Sequence, residues 1–276
     1  MNHSLKSQEA PIGLIAGQGE FPLLFATAAM AVGKKVIVFG IEGQTDRRIE
    51  ELNLETHYVG LGELEKLVLL LKEKKIKQVM LAGGVPKKEI YNPSFRIDAT
   101  AQNLIYGTKN KGDDHLLRAF QIFLKVKCGI SILDSRKFLK EAMAPKGVLT
   151  RRQPTPAEWE DLRFGWKIAK GIGRLDIGQT VVIKKGVVLA IEAIEGTDSA
   201  IGRGGLLANG GAVVVKVCKP TQNLRFDLPC VGRATLESLS SASSQVLGVE
   251  AGKTIMIFKD KLIETANEKE LSIVGL

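Results

Sequence analysis

The residues best suited to chemistry gather in two stretches, RLDIGQTVVIKKGVVLAIEAIEGTD from Arg174 to Asp198 and KPTQNLRFDLP from Lys219 to Pro229. Asp176, Glu192, Glu195, Asp198 and Asp227 fall at or near expected strand ends and turns, and Lys and Arg side chains lie among them. Carboxylates can hold a divalent cation, while Lys and Arg can neutralise phosphoryl oxygens. The mixture points to metal-assisted hydrolysis of a phosphate compound. Solvation at the surface is the competing reading for each carboxylate. Glu192 is the exception, because it interrupts LAIEAIE where alternation buries it, and a lone buried carboxylate is costly unless it meets a cation or a metal.

Other candidate positions lie upstream. Gly17 and Gly19 in LIAGQGEFP separate the first expected strand from the first helix, where a glycine turn either brings backbone amides to a phosphate or sugar or simply turns tightly. A dinucleotide fingerprint is incomplete here: the third glycine position is Pro22, and the second strand ends at Gly40 with Glu42 beyond it. Gly83 and Gly84 close LAGG at the strand end where open α/β sheets bind ligands, and Lys87 and Lys88 follow, as substrate contacts or as a solvated loop. Asp113 and Asp114 follow Gly112, as a helix cap and its neighbour or as a carboxylate presented to the interdomain cleft; a cap accounts for one of the two. No serine elbow, zinc-peptidase helix or Walker loop occurs. His3, His57 and His115 form no ligand spacing. Cys128, Cys218 and Cys230 match no zinc pattern and read as core residues, which suits a reducing cytoplasm.

Composition narrows the partners. The chain has 276 residues and is 45% hydrophobic, enough for one large domain or two ordinary ones. A formal net charge of +9 favours anionic partners such as nucleic acid, acidic lipid surfaces or phosphorylated metabolites. Nucleic acid is disfavoured, because aromatics make up only 5% and basic residues are interspersed with acidic ones. MNHSLKSQEA lacks an apolar signal-peptide core, and no window reaches the ~20 apolar residues of a membrane-spanning helix, so a cytoplasmic protein is expected.

The elements that must position these residues divide into two patterns. PIGLIAG, KVIVFG and QVMLAGG read as buried strands, alternating with helices at FPLLFATAAMAVGK, GELEKLVLLLKEKKI and DDHLLRAFQIFLKV; GISILD is a further short strand. This predicts an α/β, Rossmann-like parallel-sheet N-terminal domain over residues 1–148. APKGVLTRRQPTPAEW carries three prolines and a helix start at Thr155 to Glu158, giving a linker over 149–158. An α+β C-terminal domain over 159–276 follows. Its signals are a hairpin turning at Lys184, Lys185 and Gly186, helical spacing in TLESLSSASSQVLG, and a second hairpin in KTIMIFKDKLIETA around Lys259 to Lys261.

Taken together and in order, LIAGQGEFP, LAGG, KGDDHLLR, APKGVLTRRQPT, the Arg174–Asp198 stretch and KPTQNLRFDLPCVG resemble the UDP-2,3-diacylglucosamine diphosphatases of the LpxI type. The resemblance runs through almost the whole chain. It departs after LAGG, where family members carry Arg-Pro or Lys-Pro and this chain has VPKKEIYNP, and at Arg203, where the turn is richer in glycine.

The resemblance implies hydrolysis of UDP-2,3-diacylglucosamine to UMP and 2,3-diacylglucosamine 1-phosphate in lipid A biosynthesis, with Mg2+ or Mn2+ as cofactor. Water is expected to attack the phosphorus on the glucosamine side. The family's essential aspartate, in its RxDLP motif, falls on Asp227. On this reading Asp227 ligates the metal or positions the water, Lys219 and Arg225 hold phosphate, and Asp176, Glu195 and Asp198 are further metal candidates. The acyl chains require an apolar crevice, expected between the domains with the linker as hinge. A homodimer accords with the same resemblance, and peripheral contact with the inner membrane accords with the basic charge balance. The alternatives from other classes are a non-catalytic nucleotide-sugar-binding module, which would leave the UDP-sugar intact, and a transferase, which would need a second substrate.

Overall fold

Continuous apolar runs build the first sheet. The computed structural model describes residues 10–85, 96–107, 113–225 and 227–276, with the backbone alone at 113 and 114, so Lys87 and Lys88 lie outside the described residues. Two compact units divide at Phe138 and Leu139.

In the first unit β1 (Ile12–Ala16), α1 (Phe21–Ala31), β2 (Val36–Ile41), β3 (Glu55–Val59), α2 (Leu64–Glu73), β4 (Gln78–Ala82), α3 (Ala99–Tyr106), α4 (Asp113–Cys128) and β5 (Ser131–Ile132) follow in order. The strands form one parallel sheet in the order β3-β2-β1-β4-β5, the Rossmann-like arrangement expected. Every residue of β2 is buried, as a strand covered by helices on both faces requires. From central β1 the chain first runs outward to β2 and β3 and then returns to β4. The loops after β1 and β4 therefore meet at a topological switch point.

The second unit contains β6 (Gly147–Val148), α5 (Pro156–Arg174), β7 (Thr180–Lys184), β8 (Val187–Ile191), α6 (Thr197–Ala208), β9 (Val213–Lys216), β10 (Cys230–Val231), α7 (Arg233–Ser241), β11 (Val246–Val249), β12 (Ile255–Met256), α8 (Lys259–Glu268) and β13 (Ser272–Gly275). Six strands pair in the order β6-β13-β11-β9-β7-β8. β13, β11 and β9 run parallel, and β7 is antiparallel to both β9 and β8. Alternation then decides which helix each residue meets. Val181, Ile183, Val213 and Val215 pack with Leu162, Ala169 and Ile172 of α5. Val182, Val214, Leu247 and Ile273 pack with Ile201, Leu236, Leu239, Leu262 and Ala266 of α6 to α8.

The β7–β8 hairpin turns where expected, with Lys185 at φ 50° and Gly186 at φ 75°, the positive pair that a tight turn of this hand needs. The second expected hairpin does not form. β12 pairs in parallel with β10, and the segment from Lys259 enters α8, whose Leu262 and Ala266 recur at helical spacing into the core. Lys259 to Lys261 also lacks the Gly or Asn that a two-residue turn demands.

The stretch 149–158, expected as a linker, is stitched into the second unit. Leu149 N–H donates to the Ile273 carbonyl (2.8 Å), Arg151 N–H to Asn267 Oδ1 (2.7 Å), and Arg152 binds both Glu158 (2.6 Å) and Ser272 Oγ (3.0 Å). The helix start does form as read. Thr155 Oγ1 accepts from Glu158 N–H (3.3 Å), Glu158 Oε2 accepts from Thr155 N–H (2.7 Å), and Pro156 opens the helix.

Both tryptophans, Trp159 and Trp166, lie on α5, so their fluorescence reports on this unit alone. Thr155→Ala removes one half of the capping box and is expected to lower its stability by about 1 kcal/mol in urea unfolding followed by that fluorescence.

Candidate active site at the carboxyl edge of the second sheet

The strand directions of the second unit bring several charged residues to one edge. Lys216 ends β9, Glu250 follows β11 and Glu192 follows β8, while Thr180, at the start of antiparallel β7, pairs in register with Lys216. Glu192, Lys216, Lys219 and Glu250 are all buried there. Gly178 lets the chain entering β7 cross the end of β8: a Cβ on it would stand 2.1 Å from the Glu192 carbonyl oxygen.

Three polar groupings form on this edge. In the first, Lys216 Nζ donates to Thr197 Oγ1 (3.0 Å) and to the Cys230 carbonyl (2.9 Å); the Thr197 hydroxyl donates to Glu192 Oε1 (2.8 Å), and Glu192 Oε2 accepts from Gln179 N–H (3.2 Å). Glu192, expected to meet a cation or a metal, thus reaches a cation through a hydroxyl. In the second, Lys219 Nζ binds Asp176 Oδ1 at 2.7 Å. Asp176 takes the left-handed backbone conformation with φ 54°, and its Oδ2 is buried without a partner, as is Gln179 Oε1. In the third, Glu250 receives Lys170 (2.5 Å), Lys253 (2.9 Å) and the Cys218 N–H (2.9 Å).

The segment carrying Asp227 is held by local hydrogen bonds. Gln222 Oε1 accepts from Lys219 N–H (3.0 Å), Asn223 Oδ1 from Arg225 N–H (3.1 Å), and the Asn223 carbonyl from Asp227 N–H (3.0 Å). The Pro229 carbonyl then accepts from Ile255 N–H (2.9 Å). Asp227 is partly buried and Arg225 is exposed. Burial, then Glu250, with Lys170 and Lys253 opposing and Asp227 adding, pushes the Cys218 thiol up to about 11. Burial pushes Cys230 up to about 12, with Lys216 opposing and Asp227 adding. Asp227 and Lys216 therefore act on the same neighbour, and neither thiol is a nucleophile.

The remaining sequence candidates disperse. Glu195 binds Arg203 (2.5 Å), and its carboxyl sits low because Arg203 and backbone N–H groups outweigh desolvation. Asp198 is exposed in the first turn of α6 and lines the groove that α6 forms with α7. Asp176 and Lys219, expected respectively as metal ligand and phosphate holder, engage each other. Among the described residues no group of three or more His, Cys, Asp or Glu side chains could hold a metal ion.

In the first unit Gly17 N–H donates to the Ala82 carbonyl (2.8 Å), while Gln18 and Gly84 exchange backbone hydrogen bonds (2.8 and 3.1 Å). A Cβ on Gly17 would stand 2.4 Å from the Gly84 carbonyl oxygen, and one on Gly83, at φ +89°, 2.5 Å from that of Gln18. These glycines let two loops cross, so the amides of Gly17 and Gly84, expected near a phosphate, are spent on pairing. Gly19 turns at φ +85° in open space. Asp113 and Asp114 open α4, and their side chains lie outside the described atoms. Beside the crossing lies an apolar cavity of about 250 Å³ whose lining includes Leu61, Leu64, Leu67, Leu104, Ile105 and Phe120.

Lys216, Thr197, Lys170, Glu250 and Gln179 were not among the residues that sequence reading selected. Lys216 carried a signal, since it breaks the apolar run VVVKVC just as Glu192 breaks LAIEAIE. Lys170 and Glu250 carried none, being one charge among several on a helix and one beyond a strand.

Fold and site define a two-unit α/β protein with a buried charged edge on one unit and an apolar cavity on the other. The model of the LpxI N-terminal domain matches residues 11–142, and that of the LpxI C-terminal domain matches residues 145–274. A relative named UDP-2,3-diacylglucosamine pyrophosphatase LpxI, from Caulobacter vibrioides, is 31% identical over 275 residues, covering 96% of this chain and 97% of its own length. The chain belongs to the LpxI family.

Desolvation works against the Glu250 carboxylate, yet its bonds to Lys170, Lys253 and Cys218 N–H outweigh that and hold it below its ordinary value of 4.5. The stabilisation is full above that value and lost as pH falls through the folded one. Glu250→Gln is expected to cost about 3 kcal/mol at neutral pH and to flatten the acid limb of a stability–pH profile read by tryptophan fluorescence.

Proposed function

We propose that this chain is the UDP-2,3-diacylglucosamine diphosphatase of lipid A biosynthesis, hydrolysing its substrate to UMP and 2,3-diacylglucosamine 1-phosphate. The observation that carries the reading is end-to-end membership of the LpxI family, and it is supported by Asp227 of the RFDLP segment sharing Cys230 as a neighbour with Lys216. Lys216, Lys219 and Arg225 supply positive charge around that aspartate. A diphosphate is the ligand such a set suits, because charge-assisted bonds to phosphoryl oxygens are strong in a partly desolvated site.

In the reaction a water oxygen forms a bond to the phosphorus on the glucosamine side while the bond from that phosphorus to the bridging oxygen breaks. The bridging oxygen leaves with UMP and takes the electron pair. Asp227 accepts a hydrogen bond from the attacking water and aligns it, one proton of that water passes to solvent as the bond to phosphorus forms, and Arg225 clamps phosphoryl oxygens.

Mg2+ or Mn2+ enters this reading as a proposal. Asp227 is the residue that would hold such a cation, with the diphosphate and water as its remaining ligands. When bound, such an ion would withdraw charge from the phosphoryl oxygens.

The apolar cavity of the first unit suits hydrocarbon, each buried methylene contributing about 0.8 kcal/mol. Among the described residues no helix is long and apolar enough to cross a membrane, so contact with the inner membrane, where this substrate resides, would be peripheral.

UMP release from UDP-2,3-diacylglucosamine is expected to require Mg2+ or Mn2+, to stop with chelator, and to fall about 10²–10³-fold in Asp227→Ala while substrate binding persists. Normal turnover by that variant would remove Asp227 from the chemistry. Ile105→Trp, which fills the cavity, is expected to raise KM several-fold with little change in kcat.

A further inference from the structure

We propose that Lys216 is a catalytic residue that binds the diphosphate directly, and that Thr197 and Glu192 are positioning residues that aim it; the inference rests on, and deepens, the reading of this edge as a diphosphatase site. The argument begins with its placement. β9 puts Lys216 on the same pleat face as Val214, which packs in the core beneath α6 and α7, so its ammonium is held in a mostly desolvated position with the residue only 7% exposed.

An ammonium carries three N–H donors. Two of them go to neutral oxygens, Thr197 Oγ1 at 3.0 Å and the Cys230 carbonyl at 2.9 Å. Among the described residues no carboxylate oxygen comes within ion-pair distance of it, unlike Lys170, Lys219 and Lys253, each of which has one at 2.5 to 2.9 Å. Burying a cation without a direct counter-ion is costly, and a fold keeps one where an anion is to be received. The third N–H provides the donor.

Its direction is fixed by a relay with a defined proton order. Lys216 donates to Thr197, whose hydroxyl hydrogen goes on to Glu192; Glu192 is itself buried and anchored by Gln179 N–H. The other bond ties the ammonium to Cys230, three residues beyond Asp227, so the cation and the aspartate are brought to one stretch of backbone. A phosphoryl oxygen accepting from Lys216 would complete the ammonium's hydrogen bonds and stabilise charge developing on the diphosphate.

The test compares the wild-type protein with Lys216→Gln and Lys216→Arg on UDP-2,3-diacylglucosamine, and measures competitive inhibition by UDP and by UMP. Lys216→Gln is expected to lower kcat about 10²–10³-fold with a smaller change in KM, and to remove most of the preference for UDP over UMP. Lys216→Arg is expected to regain part of both. A structural role would weaken the two nucleotides equally, and that result, or a folded Lys216→Gln with kcat within a few-fold of wild type, overturns the proposal. Should Lys216→Gln fail to fold, Thr197→Val decides: a tenfold or larger fall in kcat with the same narrowing of the UDP–UMP ratio supports the relay, and unchanged values overturn it. If the wild-type protein released no UMP, the diphosphatase reading would fall on its own, while the inhibitor ratio, read as binding, would still judge Lys216.

Discussion

The second unit depends on one constraint: charged side chains gathered at one edge of its sheet are largely withdrawn from water, so each charge must be answered within a few ångströms. Glu250 is answered in full by two lysines and a backbone N–H. Asp176 is answered on one oxygen by Lys219 and left open on the other, and Lys216 is answered by neutral oxygens alone. A buried polar atom left without a partner costs about 1–3 kcal/mol. The unequal matching across one sheet edge separates a fully paired grouping, around Glu250, from incompletely paired ones, around Lys216 and Asp176, where the proposed binding would fall.

How much of this the sequence disclosed depends on whether the signal was local. The first sheet was legible because a parallel strand covered on both faces must be apolar throughout, and PIGLIAG, KVIVFG and QVMLAGG have that form with helices of amphipathic spacing between them. The capping box at Thr155 and the Lys185–Gly186 turn were legible for the same reason, being written within a few residues. The helix from Lys259 was misread because IMIF and LIETA look like two strands about a polar turn, and only the pairing of β12 with β10, residues apart in sequence, sends the chain onward as α8. The prolines and charges of 149–158 look exposed until Arg152 finds Glu158 and Ser272, the latter 120 residues away.

The candidate site shows the same limit. Asp227 was found through family resemblance, and the acidic and basic residues nearby through their types. Which of them face one another was not visible, because it is set by strand direction: antiparallel β7 places Thr180 against Lys216, and the left-handed turn at Asp176 delivers a carboxylate to Lys219. Gly17, Gly83 and Gly84 have a structural part that their types alone did not disclose. Glycines after the strands of a Rossmann-like sheet suggest ligand amides, yet here they allow two loops to cross at distances that a Cβ would forbid.

The two units offer opposite environments, an apolar cavity in the first and buried charges at a sheet edge in the second. Contacts that hold acyl chains do not change as the diphosphate reacts, so an apolar cavity lowers KM without lowering the barrier by itself. On the reading proposed above, contacts from Lys216, Arg225 and Asp227 would act where charge moves, and their effect would fall on kcat. A water-soluble nucleotide presents only the second kind of group and gains nothing from the first. Under that proposal the charged edge would supply the chemistry common to all diphosphates, and hydrocarbon burial would decide which of them remains bound long enough to undergo it.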